Sequence, residues 1–398
     1  MNVTVIGAGL AAAHVVTELR AQGYEGDLVV VGEEPHAPYE RPPLSKGLLL
    51  GSAEPDSVFV HPRDWYDEHG VDLRVGTTAT AIDRERRRVR LGGSELAYDR
   101  LVLATGATPR RLAMADASGA PVHYLRTLDD ALRLRDRLSG RVAVIGAGWI
   151  GLEVASAARQ AGAEVTVIES AALPLQRVLG DELATVFADL HREHGVDLRL
   201  GAEVTAIEHD GGRAVVHVAG AEPVVADLLL VAIGVTPGDG LAASAGLATD
   251  HGVLVDARLR TDDPDVLAIG DVALHDHPVL GTRIRVEHWD TAIQHGKHAA
   301  RVLLGDDAPY TRLPYFFTDQ YDLGMEYVGH VDAPGYDELV VRGDLAARQA
   351  SVLWLRGDRV LAGLHLNDWD AIDPLRAVVG GPASAEVRDP SVPLADLA

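Results

Sequence analysis

The stretch VTVIGAGLAAA at residues 3–13 decides the fold. Val3 to Ile6 read as a short buried strand, and Ala11 to Leu19 as a helix. Between them lies the turn Gly7-x-Gly9-x-x-Ala12. Glycines in such a turn let the backbone approach a pyrophosphate, and the helix start adds N–H donors and a positive dipole end. Leu28 to Val31 read as a second strand, which completes a βαβ unit. Glu33 and Glu34 follow that strand, where an acid would take a ribose hydroxyl.

The unit recurs. VAVIGAGWIGLEVA at residues 142–155 gives a strand at Val142–Ile145, the turn Gly146-x-Gly148-x-x-Gly151, and a helix from Ile150 to about Gln160. A strand at Val165–Ile168 ends in Glu169. An acid there accepts the ribose hydroxyls and repels a 2′-phosphate, so NADH is favoured over NADPH. Arg177 lies beyond it and would soften that preference. Two copies far apart indicate two dinucleotide-binding domains, not a solenoid. The fold class expected is therefore α/β, with two Rossmann-like domains and, past Pro309, a C-terminal α+β domain. That last domain shows strands at Leu339–Val341, Ser351–Leu355 and Val360–His365, and a helix near Asp370–Val378. Two smaller features complete the outline. Thr127 and Asp130 form a capping box for a helix that follows. The alternation over Val71 to Leu91 predicts a small antiparallel meander.

Bulk properties narrow the function. At 398 residues the chain needs two or three domains. A net charge of −23 argues against nucleic acid or an anionic membrane surface as partner. No apolar run approaches the ~20 residues of a spanning helix. The opening residues carry no basic segment of the secretory kind, so a cytoplasmic location is expected. There is no cysteine, which excludes thiolate metal ligation, internal Fe–S clusters and a redox disulfide.

Three further segments sharpen the reading. LVLATGATPR (101–110) runs a strand into Ala104, Thr105 and Gly106. TDDPDVLAIGDVA (261–273) ends a strand in Gly270-Asp271, and YERPPLSK (39–46) is a Pro-Pro loop with two cations. In this order, with VVVGEEPHAPYERPPLSK, VTVIES, VAIGVTP, VEHWDTAIQHGKHAARVLLG and LPYFFTDQYDLGMEYVG, the chain resembles the FAD-dependent, NADH-using ferredoxin reductases of the putidaredoxin-reductase and biphenyl-dioxygenase-reductase type. These share the glutathione-reductase-like two-dinucleotide fold.

That resemblance implies FAD at residues 1–111 and 236–308, NADH at 112–235, and a C-terminal domain at 309–398. Gly7, Gly9 and Ala12 would bind the FAD pyrophosphate, with Glu33 or Glu34 on its ribose and the backbone near Ala79 on the adenine. Arg41, Pro43 and Lys46 would lie beside the flavin, and Asp271 on the ribityl chain. Glu287, His288 and Trp289 would follow the isoalloxazine edge. Gly146, Gly148, Gly151 and Glu169 would hold NADH. Ala104, Thr105, Gly106, Arg110, Ile150 and Gly234 join the cofactor-binding set. Lys46 would stand near flavin N5 and pair with Glu153, stabilising the reduced flavin. Phe317 stands where the family often has Trp, and its ring would cover the flavin.

The implied activity carries electrons from NADH through FAD to a small 2Fe-2S ferredoxin that feeds a cytochrome P450 or ring-hydroxylating oxygenase. A rubredoxin reductase and an NADH-sensing flavoprotein of the apoptosis-inducing-factor type are the alternatives. Monomer and homodimer both stay open. No metal site is expected: His191/His194, His275/His277 and His295/His298 read as polar-face histidines. Arg84, Arg86, Arg88 and Arg90 would share one face of a strand, as a solvated outer face of the meander. Trp149 reads as a packing residue.

Overall fold

The computed structural model describes residues 1–331 and 335–397. Contacts divide the chain into two compact units. The first comprises residues 1–40, 56–108 and 236–314; the second comprises 41–55, 109–235 and 315–398.

The first unit is built on a parallel sheet in the order Val266–Ala268, Arg100–Leu103, Val3–Ile6, Leu28–Val31, Val71–Arg74. Val3–Ile6 sits at the centre, and all four of its residues are buried. That explains its near-continuous apolar composition, since helices cover both faces of such a sheet. Helix Leu10–Ala21 follows it and packs against helix Trp289–Leu303. Gly296 permits the close approach: a Cβ there would lie 2.5 Å from the Ala11 carbonyl oxygen.

Two sequence expectations change here. Val71–Arg74 is not part of an antiparallel meander but the edge strand of the parallel sheet, paired with Leu28–Val31. Its alternating pattern reflects an edge position with one face open. The meander is confined to Ala81–Asp83, Arg88–Leu91 and Ser94–Ala97. The hairpin turn occupies residues 84–87, so Arg84 and Arg86 lie in the turn and only Arg88 and Arg90 share a strand. Arg84 pairs with Asp263, Arg86 with Asp83, Arg87 with Asp265 and Arg88 with Glu95. These cations are largely neutralised where they stand.

The second unit repeats the parallel architecture. Its sheet runs Asp197–Leu200, Glu164–Glu169, Arg141–Ile145, Leu228–Val231, Val122–His123. A five-stranded antiparallel sheet joins it, in the order Tyr315–Gln320, Leu323–Gly329, Arg359–Leu366, Gln349–Arg356, Glu338–Asp344. Trp354 is fully buried in it. The late helix spans Ile372–Val378.

Helix Leu128–Arg135 starts with a complete capping box. The Thr127 hydroxyl accepts the Asp130 N–H at 3.1 Å, and the Asp130 carboxylate accepts the Thr127 N–H at 2.9 Å. We expect Thr127→Ala to cost about 1 kcal/mol, read as a lower urea midpoint with unchanged slope.

The histidines expected on polar faces are instead mostly interior. His191, His275, His277, His295 and His298 are all buried. Tyr310 gathers the last four, with ring centroids 4.7–6.3 Å from its own. Burial lowers the pKa of His275 to about 3 and of His191 to about 4, and holds that of His295 well below the ordinary value, with neighbouring histidines adding to the effect. The folded state thus prefers them neutral, and the unfolded state binds more protons in acid. Stability is full above the unfolded pKa of ~6.5 and declines as pH falls toward the folded values, with a limiting slope of about 1.4 kcal/mol per pH unit for each group. Urea midpoints from pH 7.5 to 4.5 should fall, and His275→Gln should flatten the decline if it folds.

Candidate functional site

Each parallel sheet ends its central strand in a glycine turn, and the candidate site residues collect at those ends. In the first unit, Gly7 has φ +106°, and a Cβ on it would lie 2.0 Å from the Ala104 carbonyl oxygen. Only glycine fits there. Gly9 differs: a Cβ on it would meet nothing within 4 Å. Gly9 also caps helix Leu10–Ala21 without any side-chain hydrogen bond. A helix start with room in front of it and no side chain on its first N–H groups is a phosphate cradle. Ala12 is fully buried behind it.

The neighbouring strand ends supply the rest. Glu33 is exposed and Glu34 half-buried after Leu28–Val31, and the Tyr39 hydroxyl donates to the Glu34 carboxylate. Ala104, Thr105 and Gly106 follow Arg100–Leu103, and the Thr105 hydroxyl donates to the Gly238 carbonyl at 2.7 Å. Ala79 is half-buried against the core. Arg285 donates to the Asp271 carbonyl at 3.2 Å and pairs with Glu287, which brings those two positions together. His288 caps helix Trp289–Leu303.

The second cradle has the same geometry. Gly146 has φ +102°, and a Cβ there would lie 2.4 Å from the Ala232 carbonyl oxygen. Around Gly148 there is again nothing within 4 Å. Gly151 is forced by packing, since its Cβ would come within 2.1 Å of the Gly146 carbonyl oxygen. Glu169 is aimed at this turn: its carboxylate accepts the Ala147 N–H at 2.7 Å and the Ala171 N–H at 2.8 Å. Ile150 projects from the first helical turn and is 42% exposed. Arg177 lies on the short helix Gln176–Leu179. The Arg110 N–H donates to the Gly234 carbonyl at 2.9 Å. Both cradles fit a dinucleotide, and the acid at the second suits a ribose with a free 2′-hydroxyl.

The second unit also holds the charged pair. Helix Trp149–Gln160 presents Trp149, Glu153, Ser156 and Gln160 at helical spacing, one stripe along its length. Strand Tyr315–Gln320 turns Phe316, Thr318 and Gln320 inward at period two. The two stripes meet. Trp149 packs edge-on against Phe316, with centroids 5.1 Å apart, and Ser156 accepts the Tyr321 N–H at 3.2 Å. Between these contacts sits the Glu153 carboxylate, 5% exposed. It accepts Lys46 Nζ at 2.8 Å, the Ser45 hydroxyl at 2.5 Å and the Thr318 hydroxyl at 2.6 Å.

Lys46 belongs to the segment that carries Arg41 and Pro43. The 3₁₀ turn Pro42–Ser45 presents Ser45 and Lys46 side by side, and Arg41 donates to the Arg126 carbonyl. Lys46 Nζ also lies 5.4 Å from the Phe317 ring centroid. The Lys46 side chain is 18% exposed and that of Glu153 5%, so the pair is sheltered on the carboxylate side and more open on the lysine side.

Residue-by-residue reading missed Ser45 and Thr318. Both are small hydroxyls whose partner lies far along the chain, and only their adjacency to Lys46 and Phe317 hinted at a role. It also missed His295, whose Nδ1 accepts the Gly270 N–H at 3.2 Å, beside Asp271. Trp149 packs against Phe187 and Phe316.

Comparison with known proteins completes the picture. Residues 1–296 match the family described as pyridine nucleotide-disulphide oxidoreductase, and residues 315–398 match the reductase C-terminal domain. The chain is 41% identical to the ferredoxin–NAD(+) reductase component of the anthranilate 1,2-dioxygenase system of Burkholderia cepacia, over 98% of this chain and 97% of that protein. It is 37% identical to the putidaredoxin reductase of Pseudomonas putida, over 100% of this chain and 96% of that protein. The crystal structure of a covalent putidaredoxin reductase–putidaredoxin complex superposes with a TM-score of 0.94 at 38% identity, covering 100% of this chain and 97% of that one. With its two glycine cradles and its match over 296 residues, this chain belongs to the pyridine nucleotide-disulphide oxidoreductase family.

Proposed function

We propose that this chain takes electrons from NADH onto a bound FAD and delivers them singly to a ferredoxin of the 2Fe-2S type. The observation that carries this reading is the pairing of two dinucleotide cradles with a complete lack of cysteine. Without a thiol pair the electrons have no internal disulfide to reduce and must leave to an external acceptor. The relatives, a ferredoxin–NAD(+) reductase component and a putidaredoxin reductase, support the same acceptor class.

Bound FAD supplies the exchange between a hydride donor and a one-electron acceptor. The chain's own residues do the rest. Gly7, Gly9 and Ala12 let the backbone reach the FAD pyrophosphate, and Glu33 or Glu34 takes its ribose. Asp271 holds the ribityl chain, with Arg285 bracing its backbone. Gly146, Gly148 and Gly151 do the same for NADH, and Glu169 takes its adenosine ribose. Residues 1–111 with 236–308 thus serve FAD, 112–235 serve NADH, and 309–398 form the C-terminal domain. Lys46 offers the flavin a positive charge on its open side, and Glu153 fixes that charge in place. Neither moves a proton, since hydride transfer needs no general base. The reading places the enzyme in the cytoplasm, as a monomer or homodimer. Among the described residues no helix is long and apolar enough to cross a membrane.

Two measurements test it. Lys46→Ala should keep FAD but slow its anaerobic reduction by NADH about tenfold or more, the equivalent of ~1.4 kcal/mol; unchanged stopped-flow kinetics would remove Lys46 from the reaction. Glu169→Ala should lower the ratio of kcat/KM for NADH over NADPH about tenfold or more, and Glu169→Arg more still. An unchanged ratio would assign the preference to another residue.

A further inference from the structure

The chemistry around Glu153 does not stop at its three donors. Thr318, which donates to Glu153 Oε1 at 2.6 Å, is itself 3.2 Å from Gln320 Nε2. The Gln320 amide oxygen in turn lies 2.8 Å from His191 Nε2. All of these side chains are at least 95% buried. The links come from three elements: helix Trp149–Gln160, strand Tyr315–Gln320 and helix Asp181–Glu193. Nothing in the packing demands polarity here, since Phe316 and Phe187 fill neighbouring places on the same strand and helix.

We propose that His191, Gln320 and Thr318 form a one-way hydrogen-bond chain that aims the Glu153 carboxylate at Lys46, which makes them positioning residues for the flavin-directed cation. The inference rests on the reading of Lys46 given above. The direction follows from the end of the chain. A carboxylate only accepts, so the Thr318 hydroxyl spends its proton on Glu153. The Thr318 oxygen is then left to accept, and only the NH₂ side of Gln320 can donate to it. That turns the Gln320 oxygen toward His191, whose Nε2 must carry the proton. His191 Nδ1 is left bare, and it is buried without a partner. The opposite tautomer would bury an N–H with no acceptor and set two acceptors face to face at the Gln320 contact. Burial also keeps the ring neutral, lowering its pKa to about 4, with His194 adding in the same direction and the Gln320 bond opposing.

The assignment has a consequence for Lys46. Glu153 Oε1 receives both Lys46 and Thr318, so the Thr318 bond fixes where the acceptor for the ammonium lies. Without the hydroxyl, the carboxylate can rotate about its own axis between Ser45 and Lys46, and the ammonium follows it.

The test uses the FAD-loaded protein labelled with ¹⁵N-histidine, with the His191 signal identified by its loss in His191→Gln. Long-range ¹H–¹⁵N correlation at neutral pH should show His191 neutral and protonated on Nε2. Thr318→Val should retain FAD and NADH affinity yet slow flavin reduction at saturating NADH about fivefold, the worth of roughly one ordinary hydrogen bond; Thr318→Ser should restore it. An Nδ1-protonated His191 in the wild-type protein overturns the chain, whatever Lys46→Ala does, and needs no variant to fold. A Thr318→Val protein that reduces its flavin at the wild-type rate overturns the positioning role. Unchanged kinetics in Lys46→Ala, with His191 protonated on Nε2, sinks the parent reading and the positioning role while leaving the hydrogen-bond chain.

Discussion

A carboxylate buried to 5% exposure and given three donors is the constraint around which the second unit is arranged. Glu153 needs those donors, because an unpaired charge in that position would cost several kcal/mol. They come from residues 108, 107 and 165 positions away along the chain. The Pro42–Ser45 turn, helix Trp149–Gln160 and the first strand of the antiparallel sheet must therefore all be in place for the carboxylate to receive all three. Trp149 and Ser156 extend the same stripe, so apolar and polar contacts along the helix reinforce one register.

The glycine turns impose a second, more local constraint. In each, one glycine is dictated by a carbonyl oxygen that a Cβ would strike, and another faces open space. The two roles are distinct. The first shapes the turn, and the second keeps its front clear for a ligand. Gly151 adds a third role, close packing of the helix start on its own turn, which Ala12 fills with a methyl group in the first copy.

Much of this was legible because it is local. The two βαβ units, the capping box at Thr127 and three of the five strands of the C-terminal sheet are written in runs of neighbouring residues, where period and turn chemistry operate. What failed to show was set by distant partners. Val71–Arg74 has the same pattern whether it edges a parallel sheet or opens a meander. The arginines of residues 84–90 alternate as if on one strand, but the hairpin turns in their midst, and Asp263 and Asp265 arrive from far along the chain. His295 and His298 look polar at helical spacing until Tyr310 is brought among them. Ser45 and Thr318 carry no signature of their own; their importance is conferred by the carboxylate they reach.

The division of the chain has a consequence for its synthesis. The first unit takes residues from 1 to 314 and the second from 41 to 398, each in three pieces. Neither is a contiguous stretch that a ribosome could release finished. Edge strand Val266–Ala268 completes the first sheet only after some 160 residues that follow Arg100–Leu103 have emerged. During that interval the sheet carries an unpaired, apolar edge beside Leu101 and Val102, the kind of surface that invites pairing with another chain. The order of synthesis therefore leaves that edge open until Val266–Ala268 arrives to cover it.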